Sequence, residues 1–162
     1  MIDLTLRALQ AADRTPIERI LHDSGVFRLE EIAIGLELVD ETLQPGPSTD
    51  YRWWIADQNE SVVGFACFGP VPLTEGTFDL YWIAVTPEAR GTGVAARLDE
   101  AVTADVQRAA GRWLLAETSS LVAYAPAHRF YQRQGYTLLE RIEDFYRPGD
   151  ARLTFGKRLD RG

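Results

Sequence analysis

Polar and apolar residues alternate through IDLTLRAL near the start of the chain, a period of two that predicts a strand. The period then lengthens. TPIERILHDS opens with Thr15 and Pro16, residues suited to the first turn of a helix. RLEEIAIGLELVDETL sets Ile32, Leu36, Val39 and Leu43 on one face of a second helix. Glu30, Glu31, Glu37, Asp40 and Glu41 fall on its other face. QPGPSTD predicts a loop from its Pro and Gly. YRWWIAD and SVVGFACFG are strands joined by QNE as a hairpin turn, and VPLTEG connects them to a further strand, TFDLYWIAV. GVAARLDEAVTADVQRAAG is a helix with Val94, Leu98, Ala101, Val102 and Val106 inward, closed by Gly111. RWLLAETS predicts a buried strand and PAHRFYQRQG a short helix ended by Gly135. YTLLERIEDFYRP and ARLTFGKRL are two last strands on either side of PGD.

The predicted order is β-α-α-β-β-β-α-β-α-β-β. Hairpin-linked strands are antiparallel, and one β-α-β crossover makes part of the sheet parallel. The expected fold class is therefore α/β, with a mixed central sheet of about seven strands flanked on both faces by about four helices. A length of 162 residues favours one domain, residues 1–162, able to bury a sizeable core.

Composition narrows the function classes. A net charge of -7 argues against a nucleic-acid surface, which needs clustered Lys and Arg, and is compatible with a cationic acceptor such as an amine. Cys67, the single cysteine, has no internal disulfide partner, and in VVGFACF it is expected to be a buried thiol. Two scattered histidines and one cysteine offer no metal-ligand spacing, so no metal is expected. MIDLTLRALQ holds no long apolar run, and neither a signal peptide nor a membrane span is expected. These readings point to a cytoplasmic protein.

The candidate chemistry begins at PEARGTGVAARL, residues 87–98. Gly91 and Gly93 strip the side chains from the chain just where a helix begins. A helix N-terminus presents unpaired N–H groups and a partial positive charge, and glycine lets a ligand approach them. Together these point to a phosphate. A P-loop is excluded, since it needs Gly-Lys-Ser/Thr and Val94 follows Gly93. Gly91 to Ala96 formally satisfies the dinucleotide fingerprint, with Glu117 where a ribose-binding acid should lie. However, TPEAR intervenes between the strand and Gly91, and too little chain follows Glu117 for the remaining strands of that fold.

Arg90-Gly91-Thr92-Gly93-Val94-Ala95 fits a third pattern, Arg/Gln-x-x-Gly-x-Gly/Ala, without departure. With it the sequence resembles the GCN5-related N-acetyltransferase (GNAT) family. The resemblance is firm from Thr77 to Tyr136, where HRFYQRQGY supplies a second signature. It implies that main-chain N–H groups of Arg90, Gly91, Thr92, Gly93, Val94 and Ala95 hold the pyrophosphate of acetyl-CoA. It also implies that main-chain groups of Ile83, Ala84 and Val85 pair with the pantetheine arm. The implied activity is N-acetyl transfer to a primary amine by direct attack in a ternary complex. The acceptor would be a small molecule or a peptide, and self-association into a homodimer is compatible with the chain. The competing class is a non-catalytic domain that binds coenzyme A.

Tyr131 matches the family's tyrosine that protonates the departing thiolate, a task that suits a weak acid. The Val85 N–H would stabilise the oxyanion. Two acids compete for the base. Asp79 lies in TFDLYWIAV on the same face as Tyr81, Ile83 and Val85, and Glu117 ends the next strand. An acid inside an apolar strand is costly unless it has a partner or a task. Asp144 is a weaker third choice, beside Tyr146. His128 is expected to face solvent, and His22 to sit at a helix end where a cation is favoured. Ser119 and Ser120 stand where many family members carry an asparagine, which departs from the usual pattern.

Overall fold

Each of the periodicities becomes an element in the computed structural model, which describes residues 3–46 and 49–160. Ile2 of the first strand and Pro47 and Ser48 of the loop lie outside the described residues. The order is β1 (Leu4–Arg7), α1 (Arg14–Asp23), α2 (Leu29–Leu43), β2 (Arg52–Gln58), β3 (Ser61–Pro70), β4 (Thr77–Val85), α3 (Val94–Arg108), β5 (Trp113–Ser119), α4 (Ala125–Arg133), β6 (Thr137–Arg147) and β7 (Asp150–Arg158). The strands form a seven-stranded sheet in the order β1-β2-β3-β4-β5-β7-β6. The β4–β5 ladder is parallel, while β1–β2, β2–β3, β5–β7 and β6–β7 are antiparallel, so the sheet is mixed as expected. Among the described residues no helix is long and apolar enough to cross a membrane.

The chain divides into two compact units. One comprises residues 1–69 and 82–102, the other residues 70–81 and 103–162. In the first, Ile17, Ile20 and Leu21 of α1 pack with Ile32, Leu36 and Val39 of α2 and with Trp53, Ile55, Phe65 and Cys67. These are the apolar stripes of both helices and the inward pleats of β2 and β3. The Cys67 thiol is fully buried, and burial pushes it far above the ordinary thiol range. Asn59 and Glu60 both take positive φ, 52° and 63°, the geometry that a tight two-residue hairpin turn requires.

Helix α1 starts one residue before Thr15, and Thr15 is not its cap. Asp13 is buried at its entrance instead, where it accepts the Gln10 N–H at 2.7 Å. Arg7 on β1 donates to both Asp13 oxygens, at 2.8 and 2.9 Å, and also to Asp57 on β2. Burial alone would push the Asp13 carboxyl up. The hydrogen bonds from Arg7 and Gln10 outweigh it and hold the carboxyl below its ordinary value. Stability from this contact is present above the unfolded-chain value of about 3.9 and is lost as the pH falls through the lower folded value. Arg7→Met strands a buried carboxylate and should cost about 2–4 kcal/mol at pH 7. It should also remove this part of the acid dependence, which urea unfolding at pH 7 and pH 3 would show.

In the second unit one pleat of β5 is buried, and the other is exposed at Glu117. Leu114, Ala116 and Thr118 are buried, whereas the Glu117 side chain is 52% exposed. Phe155 and Leu153 of β7, Tyr131 of α4 and Tyr136 complete the buried side. Gly111 does not supply the left-handed residue after α3. Ala110 does, at φ 57°. Gly111 is required for space: a Cβ there would lie 2.3 Å from Val106 Cγ1 and 2.8 Å from the Val106 carbonyl oxygen. Its N–H donates to that same carbonyl at 2.8 Å.

Candidate active site

Two sets of sequence-predicted residues are placed separately, one in each unit. In the first unit, β4 gives way to a short 3-10 turn at Pro87–Ala89 and a tight loop, and α3 starts at Val94. Gly91 and Gly93 have φ of 73° and 90°, left-handed values that glycine adopts without strain. A Cβ at either position would meet nothing within 4 Å, so the loop faces open space. The Thr92 N–H and hydroxyl both bond the Ala89 carbonyl, which fixes the turn. The first helical bond of α3 runs from the Arg97 N–H to the Gly93 carbonyl at 3.0 Å. The N–H groups of Val94, Ala95 and Ala96 therefore precede the ladder. An open glycine surface next to unladdered amides fits a phosphate oxygen. A cleft of about 390 Å³ borders the turn, lined in part by Thr92, Gly93, Val94, Ala96 and Arg97.

The Arg90 guanidinium donates to the Ser24 carbonyl at 3.3 Å, so its side chain braces the loop against the end of α1. Ile83, Ala84 and Val85 are partly buried. Two of them face Gly64: the Val85 Cγ1 and the Ala84 carbonyl oxygen would lie 3.0 and 3.1 Å from a Cβ placed there.

In the second unit the β4–β5 ladder pairs Thr77, Phe78 and Asp79 with Trp113, Leu114 and Leu115. Residues paired across strands share a face, and so do residues two apart along a strand. Asp79, Leu115 and Glu117 therefore lie on one face. Burial first, and then the Glu117 charge, push the Asp79 carboxyl up to about 6. Among the described residues no cation lies against Asp79. Glu117 was expected as a buried acid inside the sheet. Instead it is half exposed, with Arg152 Nη1 at 3.9 Å from its Oε1. It lies near the end of β5, on the pleat opposite the buried Ala116 and Thr118.

Tyr131 lies on α4 and is 8% exposed. Its ring packs against Tyr136, Phe155 and Phe130, with centroids 5.3, 5.5 and 5.7 Å away. Phe155 pairs with Ala116, whereas Thr154 pairs with Glu117. Neighbours along a strand point to opposite faces, so Tyr131 packs on one face and Asp79 and Glu117 share the other. The structure brings the two carboxylates together and keeps the tyrosine across the sheet from them. The ladder ends at Asp79: Leu80 and Tyr81 of β4 have no rungs to Ala116 and Glu117 of β5. The sheet of this unit is open there.

The remaining candidates make local contacts. Asp144 has φ 56°, and its Oδ1 accepts the Gly149 N–H at 2.8 Å, so it shapes the β6–β7 turn. His128 does not face solvent as expected. Its ring stacks on Phe155 at 5.8 Å, and its Nε2 is 2.8 Å from the Ser119 carbonyl oxygen. His22 is exposed, 3.9 Å from Glu18. The Ser119 hydroxyl donates to Asp150, and the Ser120 hydroxyl accepts the Ala151 N–H at 2.9 Å; both serines tie β5 to the start of β7. Sequence reasoning passed over Arg152. The signal was a long cation at an inner position of the apolar run ARLTF.

The sequence model of the acetyltransferase (GNAT) domain matches residues 49–138. No curated protein matches the chain by sequence. Among solved structures, a protein assigned to the GNAT acetyltransferases from Desulfovibrio desulfuricans is 37% identical. It superposes with a TM-score of 0.91 over 97% of this chain and 99% of that one. The ribosomal-protein-S18-alanine N-acetyltransferase from Escherichia coli is 16% identical, with a TM-score of 0.78 over 99% and 96% of the two chains. A GNAT-family acetyltransferase from Elizabethkingia anophelis with acetyl-CoA bound is also 16% identical, with a TM-score of 0.71 over 96% and 98%. A family match across more than half of the chain, and a relative of this identity along nearly all of it, agree with the glycine loop at the start of α3: the chain belongs to the GNAT acetyltransferase family.

Proposed function

We propose that the protein is an N-acetyltransferase that moves the acetyl group of acetyl-CoA to a primary amine by direct attack in a ternary complex. The observation that carries this reading is Asp79. It is a half-buried carboxyl on the same face as Glu117, with no cation against it among the described residues, and its affinity for protons is raised into the range useful to a general base. A domain that only bound coenzyme A would have no use for such a group. The Elizabethkingia relative supports acetyl-CoA as donor, and the Escherichia coli relative supports an amine acceptor. The acceptor class proposed is a small-molecule or peptide amine, and the cytoplasm is the compartment.

In this reading the amides of Gly91, Gly93, Val94 and Ala95 bind the pyrophosphate, the Thr92 N–H being held by the Ala89 carbonyl, and the main chain of Ile83 to Val85 orients the pantetheine arm. Asp79 takes a proton from the ammonium through water. The amine nitrogen then bonds to the thioester carbon, whose oxygen is met by the Val85 N–H as negative charge builds. The carbon–sulfur bond breaks, and Tyr131 gives its hydroxyl proton to the thiolate. The nitrogen's second proton restores Tyr131 by way of solvent. Burial, and after it the Glu117 charge, keep Asp79 basic.

Saturating acetyl-CoA should raise the Tm by roughly 5–10 °C, as binding to the folded state alone implies. Gly93→Asp should abolish that rise, because it puts a carboxylate where the pyrophosphate sits. Circular dichroism would verify that the variant folds. Thiol release on mixing acetyl-CoA with a panel of amines tests turnover. Binding without release for any amine would favour the non-catalytic class. Stabilisation by NADH and not by coenzyme A would restore the dinucleotide reading.

A further inference from the structure

A hydroxyl that gives up a proton must sit at a fixed height over the sheet, and α4, which carries Tyr131, has few means of fixing it. The helix is nine residues long, has no side-chain cap, and buries only Tyr131. A helix of that length is not held by its own hydrogen bonds, so its place depends on tertiary contacts. His128 supplies two of them. It precedes Tyr131 by three residues, which makes the two neighbours on one helix face, about 4.5 Å apart along the axis. Both rings rest on Phe155 of β7, with centroids 5.8 Å from it for His128 and 5.5 Å for Tyr131. The second contact is the hydrogen bond of 2.8 Å between His128 Nε2 and the Ser119 carbonyl oxygen. A carbonyl only accepts, so Nε2 carries the proton.

The carbonyl that His128 grips is itself fixed. The Ser119 hydroxyl donates to Asp150 and accepts the Leu121 N–H at 3.1 Å. Asp150 is 2% exposed and also paired with Arg147. The Ser120 N–H donates to the Ala151 carbonyl at 2.9 Å, and the Ala151 N–H donates to the Ser120 hydroxyl at 2.9 Å. The corner between β5 and α4 is thereby tied to the start of β7, and the His128 imidazole carries that fixity one turn along the helix, to Tyr131.

We propose that His128 is a positioning residue for the reaction: its hydrogen bond to the Ser119 carbonyl holds α4 where the Tyr131 hydroxyl can protonate the departing thiolate. This rests on the reading of Tyr131 as the proton donor. Packing alone does not call for a histidine, since phenylalanine or leucine would cover Phe155 without desolvating a polar ring. What imidazole adds is a donor of fixed direction. A reacting group displaced by about 1 Å can lose roughly 10²-fold in rate, so a small slip of α4 is enough to matter.

The test removes the donor and keeps the ring. His128→Phe should retain the contact with Phe155 and the affinity for coenzyme A, and should lower kcat roughly 10-fold with the fastest acceptor of the amine panel. His128→Leu carries the same test if the phenylalanine variant folds poorly. His128→Gln places an amide N–H near the position of Nε2 and should recover most of the lost rate. Because His128 acts through Tyr131, His128→Phe should cost less than about twofold in the Tyr131→Phe background. A merely structural contact would slow both backgrounds alike. Amide hydrogen exchange reports the same slip without substrate. The Gln134 and Tyr136 N–H groups close α4 on the Phe130 and Tyr131 carbonyls, each at 3.0 Å. They should exchange roughly 10-fold faster in His128→Phe and near the native rate in His128→Gln. The proposal is overturned by a native kcat in His128→Phe, by an equal loss in the Tyr131→Phe background, by a glutamine variant as slow as the phenylalanine one, or by unchanged exchange in α4. Failure of the underlying reading would look different: Tyr131→Phe alone would leave kcat unchanged, or no amine of the panel would release thiol.

Discussion

Asp79→Asn should lower kcat roughly 10²-fold and flatten the acidic limb of the pH–rate profile, which in the native enzyme should turn near pH 6. The same change should make the protein more stable at pH 7. The sign follows from proton linkage. The folded carboxyl titrates at about 6, above the ordinary Asp value of about 3.9, so between these values the folded state holds more protons than the unfolded chain. Stability therefore falls as the pH rises through this window, and ionised Asp79 is a burden at neutral pH. Removing the charge should return about 1–2 kcal/mol, after allowance for solvent screening of a partly exposed group. That is worth a few degrees in Tm. A purely structural acid would behave oppositely and lose stability on replacement. Glu117→Gln should move the acidic limb to lower pH and change stability little, since its side chain is half exposed. An acidic limb that persists in Asp79→Asn and disappears in Glu117→Gln would exchange the two roles.

Tyr131→Phe should leave coenzyme A affinity and stability nearly unchanged and lower kcat by roughly 10²-fold or more. The ring is what packs: its three aromatic neighbours lie within 6 Å by centroid, and phenylalanine keeps all of those contacts. The hydroxyl group is lost, so a drop in rate without a drop in Tm separates its part in the reaction from the packing. The deficit should shrink with a thioester whose thiol is more acidic, because such a leaving group needs less help. If kcat is unchanged where chemistry limits the rate, Tyr131 is not the proton donor.

The elements and their order were legible because each is written in a local period, and the glycine loop was legible because a helix start with bare backbone is also local. What escaped the sequence depends on register between strands. Glu117 could be placed at the end of a strand. Its exposure follows only once Ala116 is known to pair with Phe155 and Glu117 with Thr154. Arg152 became visible only when β7 was seen to carry Glu117 on one side and Glu140 on the other. His128 was misread because its partners, Phe155 and the Ser119 carbonyl, are remote in sequence or on the backbone. Gly111 was read as a conformational cap and turns out to be a clearance residue against Val106. The main-chain role proposed for Ile83, Ala84 and Val85 has no side-chain signature at all, so only resemblance could bring it forward.

The burial of Cys67 has a practical side. Acetyl transfer liberates a thiol, and a disulfide reagent that colours on reaction with thiols is the natural way to follow it. An enzyme with an accessible cysteine would consume the dye itself and lose activity during the measurement. Here the protein's one sulfhydryl lies in the core of the first unit, without solvent contact and held firmly protonated. The thiolate is the species that attacks such a reagent. The folded protein is therefore optically silent toward the dye, and slow colour in the absence of acceptor reports unfolding or hydrolysis of the donor.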